Sequence, residues 1–130
     1  MAKNPDPRIA QGMKTRRGVL GDAWVDAANA RRTEFDSDFQ DFITGAAWND
    51  VWTRPNISKR ERSMLTIAIL AALGQWDELA LHVRATANTG ASREDLREVA
   101  FHVAIYAGVP AANHAIKVMK QVFAEMDAGK

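Results

Sequence analysis

The chain has 130 residues, 17 basic and 16 acidic side chains and a formal charge of +1. A charge this balanced gives no bulk electrostatic drive toward nucleic acid, and the length points to one domain, residues 1–130, large enough to bury a core without staples. Cysteine is absent, which excludes disulfide frameworks, thiolate metal sites and cysteine nucleophiles and suits a reducing cytoplasm.

Helical spacing dominates, and Asn-Gly and Asp-Gly hairpin signals are missing. Residues 1–8 read as a loosely ordered lead-in without the apolar centre of a secretory signal. A first helix follows over 8–17. Gly21-Asp22 breaks it, and Trp24, Val25 and Ala28 mark a second helical piece to residue 31. Phe35, Phe39, Phe42 and Ile43 then fall at i, i+4, i+7 and i+8. That spacing predicts one amphipathic helix running to Trp48. Thr53-Arg54-Pro55 ends it, because the residue before a proline disfavours the α region.

Ser58 and Glu61 have the spacing of a capping box and open a helix over 59–73. After Ser63 that helix is apolar nearly all round. It is expected to be the most buried of the chain and to place part of its surface against a second subunit. Its apolar run is too short to span a bilayer. Gly74 stops it, and the next helix, over 76–88, closes at Thr89-Gly90. Ser92 caps a further helix with Asp95 in its first turn and the stripe Leu96, Val99, Val103 and Tyr106. Gly108-Val109-Pro110 makes the next turn, before a last helix over 111–126. These lengths and short connections predict an all-α helical bundle with no internal boundary.

Gln75, Glu78 and His82 stand at i, i+3 and i+7 and share a helix face. Glu78 and His82 read either as an exposed ion pair, worth about a few tenths of a kcal/mol, or as an oriented acid/base pair. In the second case the carboxylate raises the imidazole pKa and keeps it protonated near neutrality. His102 and Tyr106 form a second i,i+4 pair, although a histidine beside an apolar stripe is more often a satisfied core residue than a catalyst. His114 reads as surface or interface. No HxxxH or HxH spacing is present, so no metal site is predicted. Trp48, Trp52 and Arg54 form either a plug that ends a helix or an apolar pocket wall with one guanidinium for a carboxylate. Arg16 and Arg17 are alternatives for that guanidinium, and Arg60 and Arg62 read as solvated. Phosphate-loop, nucleophile-elbow and HExxH patterns are absent.

Four segments, RRGVLGDAWVD (16–26), FITGAAWNDVWTRP (42–55), RSMLTIAILAALGQWDELALHVRA (62–85) and HVAIYAGVPAANHAIKV (102–118), resemble the 4-carboxymuconolactone decarboxylase family of the protocatechuate branch of aromatic catabolism. The resemblance covers roughly residues 10 to 124 and implies an alkylhydroperoxidase D-like all-α subunit in a homo-oligomer, commonly a hexamer built as a trimer of dimers. In the redox relatives of that superfamily, a CxxC motif is followed four residues later by histidine. Laid on this chain, the motif falls on Gln75, Glu78 and His82. Thiol peroxidase chemistry is thereby excluded. Trp24 and His114 depart from what is usual in the family at those positions.

The resemblance implies cytoplasmic decarboxylation of a small lactone dicarboxylate, with no cofactor, metal, nucleic acid or membrane involved. Electrons from the leaving carboxylate flow through the ring double bond into the lactone carbonyl, so the substrate is its own electron sink. It further implies His82 as proton donor, Glu78 as its orienting partner and His102 or Tyr106 as oxyanion donor or second acid. Arg54, or else Arg16 or Arg17, would grip the acetate arm, with Trp48, Trp24 and Gln75 lining the site. A related lactone decarboxylase or isomerase, or a non-catalytic helical oligomer, are the competing expectations.

Overall fold

A computed structural model describes residues 6–129. Among these residues the secondary structure is helical and no strand occurs. Most of the expected lead-in, residues 1–5, lies outside the described residues. The chain divides into two compact units, one up to Ile57 and one from Ser58 onward.

In the first unit, α1 spans Pro7–Leu20. It starts at Asp6, whose carboxylate accepts a hydrogen bond from the Arg8 backbone N–H at 2.9 Å. Pro7 suits the first helical position because its missing N–H would have no helical partner there. The helix ends at Gly21, where φ is 89° and glycine is favoured. α2 follows as Asp22–Ala30, and the Arg17 guanidinium reaches Asp22 at 3.1 Å and Asp26 at 2.8 Å across the α1–α2 junction.

α3 is shorter than its apolar pattern predicts. It covers Ser37–Ile43 and then widens into a π-helical turn, Thr44–Asn49. There the Asp50 N–H donates to Gly45 O at 2.9 Å and the Trp52 N–H to Ala47 O at 3.0 Å. Two features accompany the change. The Thr44 hydroxyl donates back to Gln40 O at 2.7 Å, a contact that perturbs a helix. Gly12 of α1 also packs so closely that a Cβ there would lie 2.1 Å from Thr44 O. The phenylalanine stripe is not core either: Phe35, Phe39 and Phe42 are 97%, 58% and 65% exposed.

The second unit carries α4 (Lys59–Leu73), α5 (Trp76–Thr89), α6 (Arg93–Tyr106) and α7 (Val109–Ala128). Capping boxes form at Ser58–Glu61 and at Ser92–Asp95. Gly74 ends α4 in the left-handed conformation with φ 70°. Ile67, Leu79, Val83, Leu96, Val99, Ala115 and Val122 lie in one buried cluster that all four helices share. Ion pairs cross its surface: Arg60 with Asp95 between α4 and α6, Arg84 with Glu125 between α5 and α7, and Arg93 with Asp127 between α6 and α7. Arg60 is therefore paired rather than merely solvated.

Two expectations fail here. α5, not α4, is the more deeply buried: α4 buries Ser63, Ile67 and Ala71, whereas α5 buries Leu79, His82, Val83, Ala85, Thr86 and Thr89. Leu65, Ile69 and Leu73, spaced four apart, stand exposed along α4. Tyr106 ends α6 outside the buried stripe, at 80% exposure. No helix of the described residues is long and apolar enough to cross a membrane.

Candidate functional site

α5 and its N-cap carry Gln75, Glu78 and His82. Its N-cap, Gln75, makes no side-chain capping bond and is exposed. Aromatic stacking holds this end instead: the Trp76 indole lies on the His114 imidazole of α7 with ring centroids 4.0 Å apart and planes 4° from parallel. His114 was expected only at a surface or interface; it is exposed, yet braces the start of α5. The signal for this contact, one aromatic residue on each of two helices, has no sequence spacing to reveal it.

Glu78 and His82 have opposite environments. Glu78 is exposed in the first turn of α5, whereas His82 is only 7% exposed. Burial alone pushes the His82 imidazole down from 6.5 to about 4. The expected carboxylate-raised pKa is thus reversed: low-dielectric surroundings penalise the imidazolium, and no charge on Glu78 offsets that cost. At neutral pH His82 is a neutral imidazole, with one N–H to donate and one nitrogen to accept.

His102 and Tyr106 do meet, with ring centroids 4.9 Å apart and planes inclined by 31°. Both are exposed, so His102 is not the satisfied core residue that its neighbours implied. A groove of about 530 Å³ opens between α6 and α7, lined by Phe101, Val109, Ile116 and Phe123 with Arg97 and Lys120 among its cations. None of the residues singled out as candidates lines it. Among the described residues no cluster of three His, Asp or Glu side chains is placed to hold a metal ion.

In the first unit, the Arg16 guanidinium sits over the Trp24 ring at 5.4 Å from its centroid. Arg16 is 8% exposed, an unusual burial for a charged residue that fits a stacked guanidinium. Arg17 pairs with Asp22 and Asp26, which raise its pKa. Trp48 and Trp52 are both buried and their rings lie 5.1 Å apart. The π-helical turn sets Trp48, consistent with the frequent occurrence of such turns at functional sites. Arg54 is exposed beyond this pair.

These features define an all-α protein with a buried neutral imidazole on one helix and a buried tryptophan pair behind a π-helical turn. Residues 37–121 match the carboxymuconolactone decarboxylase family. The chain is 41% identical over 123 residues to 4-carboxymuconolactone decarboxylase of Acinetobacter baylyi, covering 95% of this chain and 92% of that one. It is 35% identical over 116 residues to nitrosuccinic acid decarboxylase of Metarhizium robertsii, covering 89% and 81% respectively. The chain belongs to the carboxymuconolactone decarboxylase family.

Proposed function

We propose that the chain is a carboxy-lyase that converts 4-carboxymuconolactone to 3-oxoadipate enol-lactone in protocatechuate catabolism, without a cofactor. The observation that carries this reading is the 41% identity, over nearly the full length of both chains, to a relative bearing that activity in its name. The C–C bond to the γ-carboxylate breaks, carbon dioxide leaves, and the electron pair moves through the ring alkene into the lactone carbonyl. The resulting dienolate takes a proton on the carbon α to that carbonyl. One proton is consumed per turnover.

His82 is our choice for its delivery. Before substrate binds, burial keeps the imidazole neutral. A dianionic substrate brings negative charge into the site, which favours the protonated ring. His82 thus takes up its proton with the substrate and gives it to carbon. Glu78, exposed on the first turn, has no orienting part in this reading. Tyr106 or His102 serves as oxyanion donor, Arg54 or the buried Arg16 as the acetate grip, and Trp24, Trp48 and Gln75 as lining. The protein acts in the cytoplasm as a homo-oligomer, in the form of a hexamer. Exposed Leu65, Ile69 and Leu73 on α4 support self-association.

A second reading is favoured by the relative named for nitrosuccinic acid. There a nitro group, not a lactone, would accept the electron pair, and the chain would be a decarboxylase of another small dicarboxylate. Spectrophotometric turnover of carboxymuconolactone generated in situ, beside nitrosuccinate, decides between them. We expect enol-lactone to form and His82→Ala to lower kcat by about 10²–10⁴-fold, the usual range for a positioned acid. Turnover of nitrosuccinate alone favours the second reading, and turnover of neither leaves a helical oligomer without this chemistry.

A further inference from the structure

Two surfaces of this chain are complementary in both shape class and charge. One is the segment around α3. Phe39 and Phe42 of α3, and Phe35 in the turn just before it, are largely exposed. Glu34 and Asp38, also exposed, flank these rings. The other is the groove between α6 and α7. Its walls are Phe101, Ile116 and Phe123, and Arg97 and Lys120 stand exposed among its lining residues. An exposed aromatic segment with acidic flanks meets the requirements of an apolar groove with basic flanks.

We infer that the acidic phenylalanine segment of one copy, the turn at 34–36 with α3, docks into the α6–α7 groove of a second copy. The inference rests on the homo-oligomer reading above and adds which surfaces meet. Amphipathic helices bind grooves through apolar anchors spaced about one turn apart; Phe39 and Phe42 have that spacing within α3, and Phe35 adds an exposed ring from the turn before it. The groove volume, about 530 Å³, falls within the roughly 300–1,000 Å³ of sites that enclose sizeable apolar groups. Charge selects this pairing over the alternatives. Two copies of this segment facing each other would oppose Glu34 and Asp38 with themselves, and two grooves would oppose Arg97 and Lys120 in the same way. Area sets a second condition. Phenylalanines present about 150–250 Å² each, so three of them fall short of the ~800 Å² per partner of a stable interface. This contact is therefore one part of the self-association surface and not the whole of it.

Two experiments test the contact on the full chain. In the first, Glu34→Lys with Asp38→Lys makes the segment basic, and Arg97→Glu with Lys120→Glu makes the groove acidic. Sedimentation equilibrium should show each pair of changes weakening self-association by at least about tenfold, because like charges then face each other. All four changes in one chain should restore it. Circular dichroism confirms that each variant keeps its helices. In the second, Phe39→Cys and Ile116→Cys are introduced together into a chain that has no native cysteine. A short bismaleimide should join separate copies into covalent dimers and higher species. A monomeric wild-type protein would overturn the oligomer reading itself. An oligomer unaffected by either charge reversal, or not restored by combining them, overturns this contact alone. A crosslink formed within one chain, or none at all, does so too.

Discussion

Lowering the pH should destabilise this protein through one residue. His82 has a folded-state pKa of about 4, against 6.5 for an ordinary imidazole. Between those values the unfolded chain binds a proton that the folded chain refuses. Unfolding therefore gains protons, and stability rises with pH across that window and is lost as pH falls through it. With these two values the loss between pH 7.5 and pH 5.0 comes to ~2 kcal/mol, and its limit well below pH 4 is ~3 kcal/mol. Urea unfolding at the two pH values, at one fixed protomer concentration, measures it; the concentration is held because an oligomer's stability depends on it. The control is His82→Gln, which keeps a polar side chain and cannot titrate. Wild-type protein should lose ~2 kcal/mol more than the variant on acidification. Equal losses would show that His82 is not buried as a neutral ring, and the ordering of its proton uptake in the proposed reaction would fall with it.

Three further outcomes are expected. Gly12→Ala places a Cβ 2.1 Å from a backbone oxygen and 3.2 Å from Asn49 N; overpacking of ~3 kcal/mol outweighs the ~1 kcal/mol that alanine gains in a helix, and a variant as stable as wild type in thermal unfolding would contradict that packing. Glu78→Gln should leave the His82 titration unmoved in ring-proton NMR, because no charge on Glu78 contributes to its pKa; a clear drop would revive the ion pair. Ser92→Ala removes the hydroxyl that accepts from the Asp95 N–H at 3.0 Å and should cost about 1 kcal/mol in urea unfolding, an expectation that unchanged stability would refute.

What was legible in the sequence was local. The Ser58–Glu61 box, the left-handed Gly74 and Gly90 and the Ser92 cap each depend on a few consecutive residues, and all occur where expected. The misses depend on distant neighbours. The spacing of Phe35, Phe39 and Phe42 specifies one face but not what covers it, and within this chain that face is open. The π-helical turn coincides with an approach from Gly12, more than thirty positions away, that no periodicity reports. The candidate residues divide in the same way. His102 meets Tyr106 because i,i+4 neighbours on a helix touch. Glu78 and His82 have the same spacing but different depths, since Glu78 stands on the exposed first turn and His82 one turn further into the packed part of α5. Counting a nearby carboxylate gave the wrong sign for the imidazole, because burial enters the pKa as strongly as charge and is not written in the spacing.

That wrong sign changes the chemistry more than the site. A permanently charged imidazolium would attract a dianion but hold its proton tightly beside two carboxylates. A buried neutral imidazole starts from the opposite position. Its proton affinity is low until negative charge arrives, and it rises with the charge that the substrate brings. Under the proposed reaction that charge is conserved as carbon dioxide departs: it moves from the γ-carboxylate into the lactone dienolate, and it falls only when the proton reaches carbon. The dienolate carbon is far more basic than the carboxylate it replaces, so the proton passes from the ring to carbon, and the ring returns to the neutral form that burial favours. An exposed histidine would feel the same sequence of charges screened by water, with smaller swings. The burial of His82 beside Val83 in α5 is thus as much a part of the proposed proton transfer as the ring itself.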